Sequence, residues 1–106
     1  MLQTYDDTPA GEPGRLESAV EILSRQPDYE FIEPKPATEE QVLRVHTRNH
    51  IEEVKQDKHL AKVAFLAAGG AILAGELAVK GDPTFGLIRP PGHHAHVDRS
   101  SGFCLF

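Results

Sequence analysis

Cysteine is almost absent from this chain. Cys104 is the only one among 106 residues, so no internal disulfide can form. A reducing cytoplasm is the expected compartment. Basic charge is also short: 11 Lys and Arg stand against 16 Asp and Glu, a formal net charge of −5. With no Lys/Arg cluster, the chain lacks the footprint of a nucleic-acid-binding surface. The first residues, Met1 to Asp7, have neither the basic start nor the apolar run of a secretory signal. The longest apolar stretch, around Ala64 to Ala74, is short for a membrane span and contains glycines. No repeat, linker or low-complexity tract interrupts the sequence. What remains is the composition of one ordinary globular domain near the small end of the range.

The patterning alternates helix with strand. Residues 1–14, rich in Pro and Gly, read as a loose lead-in. Leu16, Ala19, Val20 and Leu23 then mark a helical face within Arg15 to Arg25, ended by Pro27. Tyr29 to Ile32 reads as a short strand stopped by Pro34 and Pro36. Thr38 and Gln41 have the spacing of a capping box for a helix through Val42 and Leu43 to about His46. Asn49 is expected to cap a second short helix through Ile51 and Val54.

From Leu60 to Val79 the helical signal is strongest, and its centre, Ala67-Ala68-Gly69-Gly70-Ala71, has little side chain on any face. A glycine pair inside a helix costs about 0.5–1 kcal/mol per residue relative to alanine, so close approach of another backbone is the expected reason. Gly81 and Asp82-Pro83 end the helix. Thr84 to Ile88 reads as a strand buried on both faces, as in a parallel sheet. Phe103 to Phe106 is a third strand candidate. Such alternation indicates an α/β layer structure.

Arg89-Pro90-Pro91-Gly92-His93-His94 follows the second strand candidate at its carboxyl end, where α/β sheets bind ligands. Two prolines stiffen the backbone, and Gly92 is expected to permit an unusual φ before the histidines. Adjacent imidazoles on a rigid platform suit acid–base chemistry near neutral pH. They are poor partners on one metal, whose ligands must converge. The bland alternative is a histidine-rich surface loop with no chemistry.

Arg89-Pro90-Pro91-Gly92-His93-His94-Ala95, followed by Asp98-Arg99 and Gly102-Phe103-Cys104, resembles the signature of the histone deacetylase superfamily. The similarity is greatest to its bacterial branch of acetoin-utilisation proteins and acetylpolyamine amidohydrolases. Glu12-Pro13 with Arg15-Leu16, Pro36 to Glu40, and Val45-His46-Thr47 resemble earlier landmarks of that family. The resemblance implies a partial, truncated arginase/deacetylase-like three-layer fold with a parallel sheet. It implies hydrolysis of an acetyl-lysine or acetylpolyamine amide by a zinc-bound water in the complete domain. By the same resemblance His94 is the general base and His93 assists the leaving amine. Gly102 and Phe103 line the substrate tunnel, and Cys104 lies beneath it in a structural role. Val97 departs from a frequent proline and Ser101 from a larger residue, which bears on substrate choice.

The family's zinc ligands and transition-state tyrosine lie carboxyl-terminal to these motifs. No metal ligand is therefore expected among these 106 residues, and no cofactor in this chain alone. Asp57-Lys58-His59 has ligand-like spacing but reads as a polar helix start. His46 and His50 stand four apart, with Asn49 expected to break the helix between them. Two histidines give general acid–base gains of roughly a hundred- to ten-thousand-fold. They do not replace a metal that brings bound water from about 15.7 to about 7.

The isolated chain is expected to be inactive, an amino-terminal fragment or split half that acts with a complementing carboxy-terminal half. The alternatives are a non-catalytic, self-associating α/β module and a small histidine-based metal carrier. Phe31 and Phe85 are expected to bury poorly, and the Phe103–Phe106 stub to offer an edge for homo-oligomer pairing. No nucleic acid or membrane partner is expected.

Overall fold

The computed structural model describes residues 14–106; residues 1–13 of the lead-in, with the Glu12-Pro13 landmark, lie outside the described residues. Four helices run in order: α1 (Glu17–Ser24), α2 (Glu39–Leu43), α3 (Arg48–Lys55) and α4 (Lys58–Val79).

Helix α1 buries nothing completely, and its Val20 and Ile22 remain 40% and 60% exposed. Helix α2 starts at the capping box read from the sequence: the Thr38 hydroxyl accepts from the Gln41 amide at 3.1 Å. The Gln41 side chain accepts in return from the Thr38 amide at 2.9 Å. Helix α3 starts two residues earlier than expected. Thr47, not Asn49, is its cap, accepting from the His50 amide at 3.2 Å. Either residue type caps well, and the helix that starts at Thr47 buries His50, Ile51 and Val54.

Asp57 caps α4 through bonds from the His59 and Leu60 amides at 3.0 and 3.1 Å, the polar helix start expected of this segment. The far end closes in a Schellman arrangement. Gly81, at φ +104°, donates to Ala78, and Asp82 donates to Leu77.

Helix α4 is the spine of the molecule. Its 22 residues, about 33 Å of helix, are long and apolar enough to cross a membrane by length and composition, more than the Ala64 to Ala74 stretch alone suggested. Here its inner face packs on its own chain. Leu60 and Ala64 meet Val54 and Leu105, while Phe65 and Ala68 pack beside Ala37, Val42 and Ile51. Backbone does approach Gly69, where a Cβ would lie 1.8 Å from the Lys35 carbonyl oxygen; at Gly70 the neighbour is a side chain, Ile88 Cγ2, which a Cβ would meet at 2.8 Å. The Ala37 amide completes this crossing by donating to the Phe65 carbonyl at 2.8 Å.

The parallel sheet expected from the sequence does not form among the described residues. Their only bridge is an antiparallel pair between Ser101 and Cys104. Tyr29 to Ile32 and Thr84 to Ile88 have the composition of strands but no neighbouring strand to bond or cover them. Thr84 to Ile88 is therefore not buried on both faces, and Phe85, 83% exposed, and Phe31, 50% exposed, bury as poorly as expected of both. Phe103 to Phe106 is not an open edge either. Cys104 and Leu105 are buried, and the Leu105 carbonyl is already bonded to a side chain.

Candidate functional site

The segment Ile88 to Gly92 lies over the small-residue face of α4. A cavity of about 180 Å³ remains between Ala64, Ala67 and Ala71 on the helix and Pro90, Pro91 and Phe106 above it. The Arg89–Pro90 bond is cis. Gly92 does not use a left-handed φ, since the described glycines with positive φ are Gly14, Gly81 and Gly102. The need for glycine is steric: a Cβ there would sit 1.6 Å from the Phe106 carbonyl oxygen.

His93 and His94 project from this platform into solvent, their ring centroids 4.3 Å apart and inclined at 50°. The chain then folds back. The Ala95 amide donates to the Gly92 carbonyl and the His96 amide to the Arg99 carbonyl, each at 2.9 Å. At Ser101 it enters a two-residue hairpin in which Ser101 and Cys104 exchange backbone bonds at 3.0 Å. Gly102, at φ +57°, is the first central residue, the position that needs glycine when the second keeps a negative φ. Phe103 turns back to pack, half-buried, on the Val54, Leu60, Ala64 and Leu105 cluster. Cys104 is completely buried.

The sequence did not reveal what lies between the two ends of this loop. His46 and His50 are buried side by side, ring centroids 5.0 Å apart, because Thr47 begins a helix that carries His50 inward. Each faces a main-chain carbonyl and must therefore donate. His46 Nδ1 lies 2.9 Å from the His96 carbonyl oxygen and 3.3 Å from that of Val97. His50 Nε2 lies 2.6 Å from the Leu105 oxygen. Phe106 packs on both rings and on Phe65. The signal available beforehand was a threonine three residues before a histidine, the spacing of an N-cap with its N3 partner.

Among the described residues no three His, Cys, Asp or Glu side chains gather as a metal site. The Asp57 carboxylate is engaged in capping α4, and His46 and His50 each turn a protonated nitrogen to a carbonyl. A four-ligand zinc shell does not fit this donor set.

The sequence profile described as "Histone deacetylase domain" matches residues 10–106. This chain belongs to the histone deacetylase family. A "Probable deacetylase" of Methanothermobacter thermautotrophicus is 40% identical over 91 residues, covering 72% of this chain and 28% of that relative. A "Histone deacetylase-like amidohydrolase" of Pseudomonas aeruginosa is 33% identical over 109 residues, covering 87% and 29% respectively. The crystal structure of the HDA15 HD domain superposes with a TM-score of 0.63 at 31% identity, over 70% of this chain and 26% of that one. The deacetylase match thus spans His93, His94, Gly102 and Phe103 together with His46 and His50. The chain itself spans between a quarter and a third of the length of these curated deacetylase relatives.

Proposed function

We propose that this chain supplies the proton-transfer pair and one tunnel wall of a zinc-dependent deacetylase site whose metal is held by residues outside these 106. His94 takes a proton from the attacking water as the carbon–oxygen bond forms. His93 stabilises, and donates to, the amine as the carbon–nitrogen bond breaks. Gly102 and Phe103 flank the acyl-lysine or acetylpolyamine chain, for which a flat aromatic offers apolar area without unmet polar groups.

The observation that carries this reading is the tandem itself. Two solvent-facing imidazoles stand 4.3 Å apart on a platform pinned to the core at Gly92, in a chain of the deacetylase family. In the proposed whole, Tyr29 to Ile32 and Thr84 to Ile88 take their places in the parallel sheet of an arginase/deacetylase-like fold. The partner is then a complementing carboxy-terminal polypeptide. A lone chain, with Phe85 at 83% and Ile32 at 51% exposure, self-associates instead.

The test is complementation. The chain is co-purified with the carboxyl-terminal remainder of the Methanothermobacter relative, and acetate release is followed from an acetyl-lysine peptide and from an acetylated polyamine. The reading predicts zinc-dependent turnover in the pair, none in either part, and a loss of roughly a hundred- to ten-thousand-fold with His94→Ala. Turnover that His94→Ala leaves unchanged contradicts it. An oligomeric chain that gains nothing from the added part supports the non-catalytic module.

A further inference from the structure

The buried pair His46 and His50 lies outside the proton-transfer pair, yet both rings end on the main chain that carries the site. His46 is 7% exposed and donates from Nδ1 to the His96 carbonyl, two residues beyond His94. The neighbouring Thr47 amide donates to the Val97 carbonyl at 2.9 Å, so two consecutive residues of the α2–α3 corner hold two consecutive residues of the loop. His50, 1% exposed, donates from Nε2 to Leu105, three residues beyond Gly102. The two rings touch each other, and Phe106 closes over both. Leu105 and Phe106 also lock Gly92, since the Phe106 carbonyl fills the space a Gly92 side chain would need.

A leucine or phenylalanine would fill such a space at lower cost, because a buried imidazole needs a partner for each nitrogen. His50 Nδ1 in fact has none. Retaining two histidines against that cost points to the bonds they donate. We infer that His46 and His50 form a clamp that positions the His93–His94 pair relative to the Gly102–Phe103 wall. His46 fixes the loop after the tandem, and His50 fixes the segment after the hairpin. The clamp acts through carbonyls, so any residue at position 97, proline included, can be gripped. This explains how Val97 is accommodated there.

The inference rests on the reading of His93 and His94 as the proton-transfer pair, and its test separates the two. Asparagine places its amide nitrogen where histidine has Nδ1, and glutamine places its own near Nε2. His46→Asn therefore keeps the donor, while His46→Leu and His46→Gln remove it. His50→Gln keeps the other donor, and His50→Leu removes it. The first readout is amide hydrogen exchange and imidazole NMR on the 106-residue chain.

For His46→Leu we expect faster exchange at Thr47 and His96 and displaced His93 and His94 signals, with Leu60 to Ala74 of α4 unchanged. His46→Asn should stay near the wild type. If His46→Leu loosens α4 as well, the comparison of His46→Asn with His46→Gln decides, since both are polar and of similar fit. Equal behaviour of those two overturns the clamp, as does a loop indifferent to every variant.

The second readout is turnover of the complemented pair. Donor-removing variants should lose roughly ten- to a hundredfold in kcat with KM within about twofold, and donor-keeping ones should recover most of it. An inactive wild-type complex would count against the proposed function, while the exchange comparison would still decide the clamp.

Discussion

Glu39 shows how a single side chain ties elements together at this size. It sits in the first turn of α2, bonded to Lys55 at the end of α3, with Arg48 3.3 Å away. The bond from Lys55, then its charge, and then Arg48 hold the Glu39 carboxyl below its ordinary range, and Glu39 in turn raises Lys55. A lowered carboxylate contributes stability fully above its unfolded value, about 4.3, and loses it as pH falls through the lower folded value. A raised lysine contributes fully below about 10.4 and loses it as pH climbs through the folded value.

Glu39→Gln should therefore lower the urea midpoint by a constant amount from about pH 5.5 to 9.5, with the gap closing in acid and in alkali. The gap should also shrink at about 1 M salt, because the pair is exposed and easily screened. A gap that persists at pH 2 would show that Glu39 acts by packing and not by charge. This triad was not legible in the sequence, since Glu39 and Lys55 are brought together only by the α2–α3 corner. The Thr38–Gln41 box, a purely local feature, was legible.

At the scale of the element, α4 separates glycines that are required from one that is not. Gly69 is crossed by the Lys35 to Ala37 backbone, and its missing Cβ would overlap a carbonyl oxygen at 1.8 Å. Gly75 has nothing within 4 Å. Gly69→Ala should cost roughly 1–3 kcal/mol in urea unfolding, because backbone must shift. Gly75→Ala should stabilise by about 0.5–1 kcal/mol, the helical advantage of alanine. Equal effects at the two positions would mean that the crossing is loose.

The glycine pair was legible as a close approach because its cost in a helix demands a cause. The cap of α3 was misread because Thr47 and Asn49 are both competent caps. Only tertiary burial of His50, Ile51 and Val54 decides between them. Gly92 was misread in a similar way: a glycine after two prolines suggests an unusual φ. What it answers to is the Phe106 carbonyl, fourteen residues away in sequence.

At the scale of the molecule, the strand candidates show where local reading stops. Tyr29 to Ile32 and Thr84 to Ile88 carry β-forming residues, but a strand exists only when a second one meets it. The described residues supply none. The tandem histidines and the family they mark were legible because the motif is contiguous, whereas the hairpin turn at Gly102 was not read from it. The clamp beneath them joins residues fifty or more positions apart, and no local pattern announces that.

On the proposed reading these residues supply the proton-transfer side of a hydrolytic site whose metal is held by donors outside them; among the described residues no three His, Cys, Asp or Glu side chains gather as a metal site. Zinc per chain, measured by elemental mass spectrometry on untagged, chelator-washed protein, tests this most directly. The account predicts essentially no zinc on the chain alone and one zinc per complex once the complementing part is bound. One zinc retained per isolated chain, and lost with His93→Ala or His94→Ala, would contradict it and make the tandem a metal site.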